Sequence, residues 1–368
     1  MTNKLSRHWN TIQATLFPIL EEKLSPLTKL QERLVTVLDF VRVEEFLPYY
    51  HGTVGAPECD RAAIARAFIA KKIYNIETTK QLIDRLHCDR VLRQLCGWEC
   101  KRDIPSEATF SRAFGEFAKM GLSNRLHEAF IKDHHSTRLI GHISRDATSI
   151  CAREKAEKKP REKNVPKGKK KRGRPKKGEE KPEKSVELTR LERQVTMTLE
   201  EMLDDLPKKC DVGTKKDSKG YKMSWRGYKL HIDTADGDIP ISAVLTSAST
   251  HDSQVAIPLA TITNKRVTNC YDLMDAAYDA QVIRDYSASL DHIGLIDFNH
   301  RSPKDLREFA PHEAERYRER SSAERVNSQL KDNYGARMIR VRGHQKVFTE
   351  LMFGLLAIAV EQTLRLLT

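Results

Sequence analysis

The chain has 368 residues, with 64 lysines and arginines against 51 acids, a formal net charge of +13. Hydrophobic residues make up 39% and charged residues 31%, enough apolar mass for a sizeable core, which excludes a chain disordered throughout. The length predicts two or three domains, and the basic balance points to a polyanionic partner, nucleic acid ahead of anionic membrane.

The first 135 residues read as helical. Apolar residues recur at helical spacing in Leu27–Phe46, Ala62–Ile73 and Leu82–Leu95. Ser106 is a good N-cap for a helix running to about Met120. A short helix, a turn at Gly97 and this capped helix allow a helix-turn-helix with Thr109, Ser111 and Arg112 toward DNA; simple packing of the helices on one another is an equal alternative. His134 and His135 have no spaced partners and read as surface residues. Seven cysteines, odd in number and irregular in spacing, argue against a disulfide framework. His87, Cys88, Cys96 and Cys100 lack the paired short spacings of a structural zinc site.

The pattern changes at Arg138. Arg138–Asp146 reads as a strand ending in an acid. Arg153–Lys184 then holds 16 basic and 6 acidic residues, four prolines and no aromatic, so a basic insertion without core potential is expected over 152–195. Gly227–Thr234 and Ile239–Thr246 read as strands paired across a turn at Asp236-Gly237. Gln254–Thr263 suits a helix with Asp252 as N-cap, and Asn269–Asp275 is a second strand ending in an acid. A helix from Ala280, a strand Ile293–Phe298 and helices Ser321–Asn333 and Val347–Leu367 complete the chain. The apolar stretch Met352–Val360 is nine residues long, where a membrane span needs about 20. With no signal-peptide core at the N-terminus, no membrane association and a cytoplasmic location are expected. The order predicts an all-α N-terminal domain (1–135) and an α/β catalytic domain (136–368) with a mixed sheet flanked by helices.

Active sites on such sheets gather at strand ends, so Asp146 and Asp275 stand out. Neighbouring carboxylates repel unless a cation neutralises them, and hard oxygen ligands suit Mg²⁺ or Mn²⁺. Two such ions with a third acid would serve phosphodiester chemistry. Glu324 is the candidate. Arg320 lies four residues before it, Lys331 seven after it, and Tyr317 three before Arg320, a spacing that puts the four on one helical face. Each acid also has a plainer reading. Asp146 would cap a turn, Asp272 or Asp279 would replace Asp275, and Glu324 would form an ordinary salt bridge with Arg320. Asn327 and Gln329 are further candidates for DNA-backbone contacts.

The stripe Tyr317-x2-Arg320-x3-Glu324-x6-Lys331 resembles the YREK motif of DDE transposases of the bacterial insertion-sequence-four superfamily. Asp275-Ala-Ala-Tyr278, Gly227-Tyr-Lys-Leu-His231, Thr250-His-Asp252 and the block from Pro105 to Phe114 are similar to other blocks of that family. The second-acid block departs from the family pattern at Ala277, where Gly is usual. The segment between Asp275 and Glu324 is too short for the β insertion some relatives carry, and all three tryptophans lie outside it. The resemblance implies a ribonuclease-H-like fold, with Asp146, Asp275 and Glu324 as a catalytic triad binding two Mg²⁺ or Mn²⁺ ions. Tyr317, Arg320 and Lys331 would hold transposon-end phosphates. It implies double-stranded DNA as partner (transposon ends and target), a homodimer in the synaptic complex, and a nucleoid-associated protein that cleaves ends and transfers strands. A nuclease of the same fold and an inactive DNA-binding regulator are the alternatives.

Within the insertion, Arg172-Gly173-Arg174-Pro175 in a lysine run resembles an AT-hook. Such a segment is narrow enough for the minor groove, where arginines seek the potential of A·T tracts. A non-specific polycation or a localisation signal are the plainer readings.

Overall fold

The computed structural model describes residues 3–24, 26–48, 59–157, 188–216, 220–299 and 307–367. The AT-hook-like segment Arg172–Pro175 lies outside them. Helices α1 (Asn3–Thr11), α2 (Phe17–Leu24), α3 (Lys29–Val41), α4 (Arg61–Ile73), α5 (Thr79–Cys88), α6 (Arg90–Cys96), α7 (Glu107–Lys119) and α8 (Leu122–His135) come first. Their boundaries follow local chemistry. Thr28 with Gln31 and Thr78 with Gln81 form reciprocal capping boxes, and the Ser106 hydroxyl accepts from the Thr109 amide. The connection from α6 to α7 spans residues 97–106 and includes a 3₁₀ turn at Lys101–Asp103. A helix-turn-helix joins its helices through three or four residues, so that expectation is corrected to a longer, differently shaped corner. Trp98 closes it by packing on Phe110. His135 is also corrected. It is buried and its Nε2 lies 2.8 Å from Thr363 Oγ1.

The second half runs β1 (Leu139–Ala152), α9 (Arg190–Gln194), α10 (Leu199–Asp205), β2 (Asp211–Lys216), β3 (Lys222–Ala235), β4 (Ile239–Ser247), α11 (Ser253–Asn264), β5 (Thr268–Met274), α12 (Gln281–Ser289), β6 (Ile293–Ile296), α13 (Pro311–Tyr317), α14 (Ser321–Asn333), β7 (Met338–Ile339) and α15 (His344–Arg365). The basic insertion ends before the expected 195. Arg190–Gln194 is helical because Thr189 and Glu192 cap it reciprocally, and Gln194 is buried against α11.

The sheet is mixed, in the order β4-β3-β1-β5-β6, with β2 extending β3 beyond β4 and β7 extending β1 beyond β5. β3 is antiparallel to both neighbours; β5 and β6 run parallel to β1. β4 is buried at all nine positions, which explains its unbroken apolar and small-polar sequence. Gly227 of β3 pairs with Cys151 of β1. A Cβ there would strike the Ile150 carbonyl, and its φ of 151° is open to glycine. This architecture is ribonuclease-H-like, with helices on both faces.

Helix α15 is 22 residues long and apolar enough to cross a membrane by length and composition, yet 83% of its most apolar window is buried inside the fold. It packs on β4 and on α3, α4, α7 and α8, within one hydrophobic cluster that reaches from Leu5 to Val360. At its centre Glu350 accepts from Lys71 at 2.5 Å and lies 2.8 Å from Lys72. The two ammonium groups hold that carboxyl down at about 2 against the cost of burial.

Candidate active site

Asp146 lies in the middle of β1, and the strand continues six residues past it to Ala152. The sequence expectation of a strand-terminal acid is corrected here. It is β5 that stops. Parallel pairing of Ser144 with Leu273 brings Asp146 level with Asp275, the first residue beyond β5. β7 joins the same edge of β1 only at Cys151, so no strand among the described residues covers that edge between Arg145 and Ile150. Asp275 leaves β5 into a 3₁₀ turn, held by a 2.9 Å bond from the Ala277 amide to its Oδ1.

The four-residue stripe is not one continuous helix. Tyr317 ends α13, Arg320 ends a 3₁₀ turn (Arg318–Arg320), and Glu324 and Lys331 belong to α14. The Ser144 hydroxyl donates to the Arg320 carbonyl at 2.7 Å, fixing that turn over β1. The Arg320 guanidinium then reaches all three acids: 3.6 Å to Asp146, 3.5 Å to Asp275 and 3.1 Å to Glu324. Tyr317 donates through its hydroxyl to the Met274 carbonyl at 3.1 Å. Lys331 is half-buried, two helical turns beyond Glu324, and burial with the nearby Lys215 pushes its ammonium down. Asn327 donates to Asp146 at 2.9 Å, while Gln329 turns away and accepts from Gln362.

Both strand acids are raised above the ordinary carboxylate range. Burial pushes Asp146 up to about 6; Arg320 and the Ala147 amide oppose it, and Asp275 and Asp252 add to it. Burial also raises Asp275, again with Arg320 opposing. The rival acids are engaged elsewhere. Asp272 is buried between Ser287, Asn269 and His292, and Asp279 pairs with Arg284 and the Asn299 amide.

Beneath the site lies a buried polar layer that sequence reading missed. Arg145, next to Asp146, makes two bonds to Asp233 at 2.8 and 2.7 Å, and its Nη1 reaches Met274 Sδ at 3.4 Å. Thr263 donates to the same Asp233. A fully paired, charge-assisted network of this kind rigidifies what stands on it. Its only sequence signal was charge inside strands that otherwise read as core.

The comparison that decides the family covers this sheet. A family profile described as "Transposase DDE domain" matches residues 138–360. The chain belongs to the DDE transposase family. A second profile, "Transposase domain (DUF772)", matches residues 19–116 in the helical half, so two transposase domains account for most of the chain. No curated protein and no solved structure matches. The chain is a transposase, and family membership implies DNA binding. DDE transposases typically use divalent metal, and the donor chemistry here fits one. Three carboxylates share one guanidinium beside an uncovered strand edge, and the buried Asn327 Oδ1, an oxygen acceptor next to Asp146, has no hydrogen-bond partner among the described residues. Among the described residues no three potential ligands converge on a single point; Arg320 stands between the transposase's acids instead.

Proposed function

We propose that the protein is a YREK-type transposase that cleaves the ends of an insertion sequence and joins them to target DNA, with Asp146, Asp275 and Glu324 as its catalytic, cation-binding acids. The reading is carried by one observation: a single guanidinium, Arg320, contacts all three carboxylates. An arginine holds together in the free protein what a stronger cation would hold in the loaded one. Mg²⁺ or Mn²⁺ ions bound by these acids would supply Lewis acidity to the attacking and leaving oxygens.

The chain's own residues do the rest. The Arg145 layer and the β1/β5 register hold two acids level, and α14 brings the third. Released from the acids, Arg320 joins Tyr317 and Lys331 in binding end phosphates. Water opens a phosphodiester at each end and frees a 3′-hydroxyl; that hydroxyl attacks target DNA. One phosphodiester is exchanged for another, so neither ATP nor a covalent enzyme intermediate is needed. Residues 1–135 serve DNA binding and dimerisation, 136–368 catalysis, and the Arg172–Pro175 segment tethers the chain to A·T-rich duplex. Two ends require a homodimer in the synaptic complex, in the cytoplasm at the nucleoid.

The test is a plasmid carrying the DNA that flanks the reading frame, incubated with the full chain and Mg²⁺. Excised ends and products joined to a second duplex are expected. Cleavage without joining would mean a nuclease, and full activity of Asp275→Asn or Glu324→Gln would overturn the assignment.

A further inference from the structure

Asp252 holds the N-cap position of α11, yet its side chain caps nothing. Its Oδ1 instead takes 2.9 Å from Lys229 Nζ, which also donates to the Thr250 carbonyl. Asp252 follows β4 at the sheet end toward which β1 and β5 also run. From there its charge acts on Asp146, on Asp275 and on the Tyr278 hydroxyl, where it outweighs the other two acids. Glu324 meets Arg320 from α14, and Asp252 stands at the N-terminus of α11.

Three buried polar atoms around Asp252 lack a hydrogen-bond partner among the described residues: Tyr278 Oη, His231 Nδ1 and Thr250 Oγ1. Tyr278 is 1%, His231 0% and Thr250 4% exposed. His231 is the most telling. Its Nε2 lies 3.0 Å from Thr246 Oγ1, and that hydroxyl donates to the Ser247 carbonyl. The hydrogen therefore belongs on Nε2, by assignment from the network, and Nδ1 is left a bare acceptor. It faces another acceptor, Asp252 Oδ1, at 3.9 Å. Two acceptors so placed call for something positive or hydrogen-rich beside them, and Lys229 reaches only one. Leaving buried polar atoms unsatisfied costs about 1–3 kcal/mol each, so such a set marks a place where an ion or a water completes the bonding.

We propose that Asp252 is a fourth carboxylate of the divalent-cation site and that Lys229 occupies its oxygen until the cation arrives. The inference rests on the triad reading above and extends it to the α11 face. Lys229 is then a competitor for Asp252: it neutralises that carboxylate while no divalent cation does.

The test is Mn²⁺ binding to the full chain, with free Mn²⁺ read by electron paramagnetic resonance, so no DNA or turnover is involved. Wild type, Asp252→Asn, Lys229→Met and Asp275→Asn are compared after their melting in EDTA shows a folded protein. Asp252→Asn is expected to weaken binding at least tenfold, as Asp275→Asn does. Lys229→Met, which removes the competing cation, is expected to tighten it. The match in size to Asp275→Asn carries the proposal, because an Asp252 that acted on the cation only through its field would weaken binding far less than the loss of a ligand does. Equal weakening by Asp252→Asn and Lys229→Met, or unchanged or far less weakened binding in Asp252→Asn than in Asp275→Asn, overturns it and leaves the triad standing. Mn²⁺ binding that no variant alters overturns the triad reading as well.

Discussion

The Arg320 guanidinium stands 3.6 Å from the Asp146 carboxylate, and burial still lifts that carboxyl to about 6. One cation shared among three acids leaves each of them incompletely neutralised. Arg320 and a divalent ion therefore compete for the same oxygens. In Arg320→Ala, Mn²⁺ binding is expected to tighten severalfold while end cleavage falls by two orders of magnitude or more, on the order of the loss of a transition-state donor. Titration and a cleavage assay on the same preparation check the opposed directions. Weaker Mn²⁺ binding would show that Arg320 builds the site rather than competing for it.

Asp146 also sets a pH signature. Its carboxyl sits at about 6 in the folded protein against an ordinary 3.8. Between those values the folded state keeps a proton that the unfolded chain has released. Stability of the metal-free protein should therefore fall as pH rises from about 4 to 6 and level off above. Asp275, raised in the same direction, adds to this fall. Urea denaturation in EDTA across that range should show a shallower decline in Asp146→Asn. Mn²⁺ affinity should run the other way, climbing about tenfold per pH unit below 6 as the proton must leave, then reaching a plateau.

The Glu350 carboxylate anchors α15 to α4 through Lys71 and Lys72. Glu350→Gln leaves two buried ammonium groups without their counter-charge. Loss of one partner from a buried ion pair costs about 3–5 kcal/mol, and chemical denaturation at pH 7 should register a loss of that order. Below about pH 4 the difference should shrink, because the unfolded carboxyl titrates near 4.5 and the folded one near 2, so wild type itself loses this stabilisation as pH falls through that range.

The net charge of +13 is uneven along the chain. Arg153–Lys184 contributes 16 basic minus 6 acidic residues, or +10, and leaves +3 for the other 336. Replacing the seven cations of Lys169–Lys177 by serine should weaken DNA binding at low salt and lower the slope of log K against log salt by about 0.9 per lost phosphate contact. Mg²⁺-dependent cleavage at saturating DNA should persist. An unchanged slope would show that these residues do not contact DNA.

The sequence by itself determined which elements exist and what kind of chemistry they serve. Helix α14 was readable from its 3.6-residue pattern to both its ends, β4 and α15 from long apolar runs, and the acids and cations from a spacing whose periodicity is local. Each depends on neighbours within a few turns of chain. Short elements without such a pattern (β2, α9, α10, α13) were not legible, because a two-turn helix or an edge strand owes its existence to what it packs on. Only the tertiary structure decided that Asp146 is a mid-strand residue left without a strand neighbour by the early end of β5, since strand register is set by pairing partners more than a hundred residues away. It alone turned Arg320 toward three carboxylates, released Asp252 from the cap its position suggested, and buried Arg145 against Asp233. The direction of a polar side chain follows from the field and packing of the assembled core, and no local run of residues carries that.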